Sequence, residues 1–116
     1  MTLRLGNVTM DCTDAPKVAA FWSAALERPV DEGGNPFFVS IGRESAGPAM
    51  FFIAVPEPKS VKNRVHLDLI ADDRRAEIER LVGLGATFVA DKDEWGVSWT
   101  VMHDPEGNEF CIAADH

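Results

Sequence analysis

The chain has 116 residues, 46% of them hydrophobic and 26% charged, enough for one core-forming domain and too few for two independent ones. With 19 acidic against 11 basic residues the net charge is −8, which disfavours a phosphate backbone as partner, so no nucleic-acid binding is expected. No apolar run reaches bilayer length and the N-terminal stretch lacks the layout of a signal peptide, so a cytoplasmic protein with no membrane partner is expected.

An alternating strand is expected over 3–12, followed by a helix that Asp14 or Thr13 can cap. Pro16 suits its first turn, and Val18, Phe21, Trp22 and Ala25 recur at helical spacing as one apolar stripe. A weak strand around 29–31 and strands at 36–41 and 49–55 complete the first half. "GRESAGPAM" at 42–50 reads as a flexible candidate lid, and "PEPKSVKN" at 56–63, with two prolines and two lysines, as a connection. The second half predicts a strand at 63–70 and a helix that starts near Asp72 or Asp73, buries Ile78, Leu81 and Val82, and stops at Gly85. Strands at 87–91, 97–103 and 108–113 follow. In "DPEG", Pro105 presets the first central turn angle and Gly107 accepts a positive one, so 97–113 is expected to be a hairpin.

The two halves resemble each other. "NVTMDCTDAPKVAAFWSAALERPV" aligns with "HLDLIADDRRAEIERLVGLGATFV", placing Asn7 opposite His66 and Asp14 opposite Asp73. Setting "FFIA" at 51–54 against "FCIA" at 110–113 places Phe52 opposite Cys111. Each half then reads as one strand, one helix and about three strands. Strand alternation puts Val8, Met10 and Cys12 on the helix side of the first strand and Asn7, Thr9 and Asp11 on the other. Likewise Val65, Leu67 and Leu69 oppose His66 and Asp68, while Phe110 and Ile112 oppose Glu109, Cys111 and Ala113. Positions 7, 52, 66 and 111 thereby become equivalent pairs on one face.

"DCTDAPKVAAFWSAAL", "KNRVHLDLIADD", "LGAT" and "DPEGNEFCI", in that order, resemble the vicinal oxygen chelate superfamily, which includes glyoxalase I, extradiol dioxygenases and bleomycin- and fosfomycin-resistance proteins. The sequence is most similar to the small glyoxalase-like proteins of that group. The resemblance implies an α+β fold: two tandem βαβββ modules, 1–56 and 62–116, forming one domain whose curved mixed sheets surround a central cleft. It also implies a homodimer. Metal-using members of the superfamily place His, Gln or Glu at four positions, which in this sequence are Asn7, Phe52, His66 and Cys111. Phe52 cannot coordinate, Asn7 offers a weak neutral oxygen, and His66 with Cys111 makes two ligands where catalytic zinc takes three. Asp68 and Glu109 share that face, yet two residues along a strand is roughly 6.6 Å. No cofactor is therefore expected, and a divalent metal is disfavoured.

Cys111 sits in a ligand position but reads best as packing; a Cys–His nucleophile would need a third, orienting group that the sequence does not show. His66 is divided between a structural role and that of a ligand contact or general acid/base. Trp95 and Trp99 bracket "EWGVSW" and are candidates to stack on a flat or cationic ligand, or simply to cover a sheet edge. His103 and His116 are expected to be exposed. The leading expectation is a glyoxalase-like protein that binds a small organic molecule without a metal, in an antibiotic-binding or related role. Asn7, Thr9, Asp11, His66, Asp68 and Glu109 would give polar contacts, and Phe52, Cys111 and Trp95 the apolar surface. His66 is the candidate catalytic residue, and the net charge mildly favours a cationic ligand. The alternatives are a metal-dependent lyase, isomerase or dioxygenase, and a non-enzymatic interaction module whose cleft is filled.

Overall fold

The computed structural model describes residues 3–114; the expectation for His116 lies outside them. Among these residues the protein is a mixed α+β chain with two sheets and two helices, consistent with the expected two-module fold. Its backbone contacts divide it into two units between Pro58 and Lys59, inside the connection anticipated at 56–63.

The first unit runs β1 (Asn7–Cys12), α1 (Ala15–Leu26), β2 (Phe38–Ile41) and β3 (Ala49–Ala54). Helix α1 starts where Asp14 accepts a hydrogen bond from the Lys17 amide at 3.1 Å, and it ends at Glu27 in the left-handed region, φ 54°. The anticipated stripe of Val18, Phe21, Trp22 and Ala25 is buried, with Phe21 and Trp22 in edge-to-face contact at 5.2 Å. The sheet order is β1-β3-β2, with β1 parallel and β2 antiparallel to the central β3. Strand β1 begins at Asn7 rather than residue 3, because its partner begins at Ala49, after Pro48, a residue with no amide to offer a ladder. The weak strand at 29–31 is reduced to one bridge, Val30 to Ile41, beside Pro29.

The 42–50 segment is pinned. Arg28 donates to the backbone carbonyls of Pro48, Gly42 and Ala46 at 2.8, 3.0 and 3.2 Å. Gly42 has φ +71°, and a Cβ there would lie 2.5 Å from the Arg28 guanidinium, so a side chain has neither the backbone angle nor the room. A guanidinium holding three carbonyls does not suit a lid.

The second unit runs β4 (Leu67–Ala71), α2 (Arg74–Leu84), β5 (Thr87–Glu94), β6 (Val97–His103) and β7 (Glu109–Ala114). Its sheet order is β4-β7-β6-β5, with β4 parallel to β7 and the other pairs antiparallel. Asp73 caps α2 by accepting from the Ala76 amide at 3.1 Å, and Gly85 ends it at φ 120°. Ile78 and Leu81 are buried, but Val82 is exposed: it lies about 100° further round the helix than Leu81, past the edge of a narrow apolar stripe. Val65 is also exposed, since β4 starts at Leu67, where pairing with Phe110 of β7 begins.

Two hairpins shape this sheet. Between β5 and β6, Trp95 and Gly96 both have positive φ, 55° and 74°, as a two-residue turn of the primed kind requires. Between β6 and β7 the expected turn forms: the Gly107 amide reaches the Asp104 carbonyl at 2.9 Å, and Gly107 has φ 86°. Asp104 anchors that turn. Its buried carboxylate accepts from the amides of Glu106 (2.8 Å) and Asn108 (2.9 Å) and from Asn108 Nδ2 (3.1 Å).

A candidate ligand hollow in the second unit

Alternation along β6 and β7 sorts the side chains of the second sheet. Thr100, Met102, Phe110 and Ile112 are buried on the helix side. Val97, Trp99 and Val101 of β6 and Glu109, Cys111 and Ala113 of β7 turn to the other side and line a hollow of about 440 Å³. Asp68 of β4, Lys92 of β5, and Lys62 and His66 ahead of β4 complete it. Of the anticipated site residues, the structure brings His66, Asp68, Glu109 and Cys111 together here.

The anticipated Phe52 does not face a binding surface. Met10 pairs with Phe52 and Thr9 with Phe51, so Phe52 joins Val8, Met10 and Met50 on the helix side and is fully buried. Phe51, half-buried, shares the side of Asn7, Thr9 and Asp11. The same register matches Phe51, not Phe52, with Cys111, because Thr9–Phe51 corresponds to Asp68–Cys111. Aligning "FFIA" with "FCIA" was wrong by one residue, and in a strand one residue reverses the face. Asn7 donates to Thr9 Oγ1 at 2.9 Å, while Thr9 and Asp11 are exposed.

Trp95 is not part of the wall either. It sits in the turn, 87% exposed, and stacks on Trp99 with ring centroids 6.2 Å apart and planes 9° from parallel. Trp99 is the wall residue, backed by Trp95. Lys62, Lys92, Val97 and Val101 were missed as site residues, and Trp99 was a stacking candidate whose face was undecided, although for β6 the hairpin pairing carried the signal: Trp99 pairs with Ala113 and Val101 with Cys111.

The charges in the hollow are unequally matched. Glu109, an anticipated ligand contact, is already engaged, accepting from Lys59 Nζ and the Asn63 amide, both at 2.9 Å, with His103 Nε2 3.9 Å away. Loss of solvent pushes its carboxyl up, but the Lys59 and Asn63 hydrogen bonds outweigh this and hold it at about 2. A folded value below the ordinary 4.5 means that Glu109 contributes stability above that pH and loses it as pH falls toward 2. Acid titrations of wild type and Glu109→Gln should therefore differ by about 1–2 kcal/mol at neutral pH, after allowance for solvent screening, and converge in that window. A constant difference down to the acid limit would show that the carboxylate is not the source.

Asp68 Oδ1 lies 3.3 Å from His66 Nε2. Burial, then the neighbouring Asp68 carboxylate, pushes the Cys111 thiol up, so it is protonated at neutral pH. That is the opposite of what a thiolate nucleophile needs. The four positions that the resemblance implies for a metal do not fit one: Phe51 and Phe52 are hydrocarbon, and Asn7 is bonded to Thr9. Within the second unit, however, His66, Asp68 and Cys111 bring three ligand atoms within 4.8 Å of one another. The Asp68 carboxylate, set aside in the sequence count because of its distance along the strand, comes within 3.3 Å of His66 Nε2.

The glyoxalase-like domain family matches residues 7–113. The chain belongs to that family. Among solved structures, this glyoxalase-like chain is similar to a glyoxalase/bleomycin resistance protein/dioxygenase family enzyme from Burkholderia phytofirmans PsJN (20% identity, 97% of this chain and 98% of that one, TM-score 0.76). It is also similar to a mutant fosfomycin resistance protein, FosX, from Listeria monocytogenes, complexed with Mn(II) and 1S,2S-dihydroxypropylphosphonic acid (14% identity, 100% and 93%, TM-score 0.80). A bleomycin-binding protein from Streptomyces verticillus, complexed with copper(II)-bleomycin, matches at 17% identity over 100% of both chains, with a TM-score of 0.66. At these identities the likeness establishes the fold, and the glyoxalase-like chain's ligand must be argued from its own residues. No curated protein matches its sequence significantly. Among the described residues no helix is long and apolar enough to cross a membrane.

Proposed function

We propose that this glyoxalase-like protein binds a small organic anion with a flat or branched apolar body in the hollow of its second unit. The observation that carries the reading is the hollow itself: about 440 Å³, walled by Trp99, Val97, Val101, Cys111 and Ala113, with a few polar groups at defined places. That size and composition suit a small-molecule site.

The local charge supports an anion rather than the cation suggested by the net charge. Glu109 is neutralised by Lys59, which leaves Asp68, 3.3 Å from the His66 imidazole, as the remaining carboxylate of the lining against two lysines. Among the described residues neither Lys62 nor Lys92 has an ion pair, and both line the hollow. Ligand steering responds to the field at the site more than to the total of −8. The proposal keeps the ligand-binding role expected from the sequence, in a cytoplasmic homodimer, with the dimer checked by light scattering.

Calorimetric titration with paired aromatic carboxylic acids and amines of matched shape tests this. The acids should bind and the amines should not. Trp99→Ala should weaken the best acid about tenfold or more, through lost stacking area, and Lys62→Ala with Lys92→Ala about five- to tenfold. Amine binding that exceeds acid binding would overturn the charge argument, and binding unaffected by Trp99→Ala would place the ligand elsewhere.

A further inference from the structure

Lys62 lines the hollow from a segment, 59–66, that forms neither helix nor strand, so no ladder fixes where its ammonium lies. We propose that Glu109 is a positioning residue: its carboxylate pins residues 59–63 as a strap and so holds Lys62 over the hollow, to receive the charged end of the ligand. The inference rests on the organic-anion reading for that last role alone.

The strap is gripped on both sides of Lys62. Ahead of it, Lys59 Nζ donates to Glu109 Oε2 at 2.9 Å and to the Val61 carbonyl at 2.8 Å. Behind it, the Asn63 amide donates to Glu109 Oε1 at 2.9 Å, and Asn63 Nδ2 to Asn108 Oδ1 at 2.8 Å. Asn108 is held in turn by Asp104, which accepts from its amide and its Nδ2, so the strap is tied to the β6–β7 turn. Both Glu109 oxygens are engaged in this way, and the side chain is only 12% exposed, so the carboxylate serves the strap rather than a ligand. Little else holds the segment, since Val61 is 75% exposed, and hydrogen bonds to a charged acceptor are the strong kind that can offset the entropy of ordering it. The Lys62 charge reaches the hollow floor: burial and then Asp68 push the Cys111 thiol up, and Lys62 opposes them. By charge alone, Glu109 would hinder an anion; as an anchor, it helps one.

The test separates reach from charge and uses iodide as the anion. Quenching of Trp99 fluorescence by iodide, divided by quenching by neutral acrylamide, measures how strongly the hollow draws negative charge. It is read at low salt on the full-length protein in a Trp95→Phe background, which silences the exposed turn indole; Trp22 is fully buried. Glu109→Asp keeps the charge but is shorter by one methylene. It should lower the ratio about twofold and speed hydrogen exchange of the Asn63 amide. Glu109→Gln loses the charge but keeps an oxygen for that amide, and should not lower the ratio. Lys62→Ala should lower it by itself and leave Glu109→Asp without further effect. A ratio or an Asn63 exchange rate that Glu109→Asp leaves unchanged, or a loss that adds to that of Lys62→Ala, would overturn the positioning role. Iodide reports on the strap whether or not aromatic acids bind, so failure of the organic-anion reading shows separately, in the calorimetry.

Discussion

Replacing Phe52 with alanine is expected to lower the unfolding free energy by about 3–5 kcal/mol, among the largest losses of any single side chain in the first unit. Phe52 is fully buried on the helix side of β3, between strand partners Met10 and Val39, and its removal leaves a cavity that neighbours in a close-packed core refill only in part. Phe51→Ala should cost less, about 1–2 kcal/mol, because that ring is half-buried. What Phe51 loses is an edge-to-face contact with Phe38 at 5.3 Å and the Arg43 guanidinium 5.2 Å from its ring centre. Urea denaturation of the pair decides the register. If Phe51→Ala proved the costlier change, Phe52 would belong to the polar-bearing face after all, and the correspondence of Phe51 with Cys111 would fall.

Asp104→Ala is expected to cost about 2–4 kcal/mol and to reach the hollow indirectly. The carboxylate is buried and accepts three hydrogen bonds, two of them from backbone amides. Without it, buried donors in the turn lose their acceptor, and an unsatisfied buried amide costs more than the net value of its bond. The β6–β7 turn fixes which residues of β7 stand opposite Trp99 and Val101, so a loosened turn frees Cys111 and Glu109 from their register. Asp104→Asn, which keeps one acceptor oxygen, should recover part of the loss. The readouts are the urea midpoint and amide exchange at Glu106 and Asn108; protection unchanged in the alanine variant would show that these amides do not rely on Asp104.

These two changes act on the same kind of information, strand register, and register is where sequence and structure part. The elements were legible because their signals are local. Asp14 and Asp73 cap helices, Gly85 and Gly107 take positive φ, and Pro105 sits where a turn needs it. Each depends on a few neighbouring residues. The family likewise lay in the order of short motifs, and the glyoxalase-like assignment follows it. On β7 the alternation of Phe110 and Ile112 against Glu109, Cys111 and Ala113 was readable because the turn beside it fixed the count.

On β3 no turn fixed the count. "FFIA" offered two adjacent phenylalanines of equal hydrophobicity, and sequence similarity chose the wrong one by a single position. Trp99 stayed undecided for a different reason: its face follows from pairing with Ala113, a partner 14 positions away in a hairpin that had to be trusted before it could be used.

What the sequence settled alone was therefore the two helices and the main strands, their order and the family, since capping, turn chemistry and periodicity act within a few residues. Only the tertiary structure decided which side chains share a surface. It placed Asp68 beside Cys111, tied Glu109 to Lys59, left Lys62 and Lys92 without ion pairs among the described residues, and sent Phe52 into the core. Those outcomes depend on distant strands meeting in one register, and a shift of a single residue reverses every face.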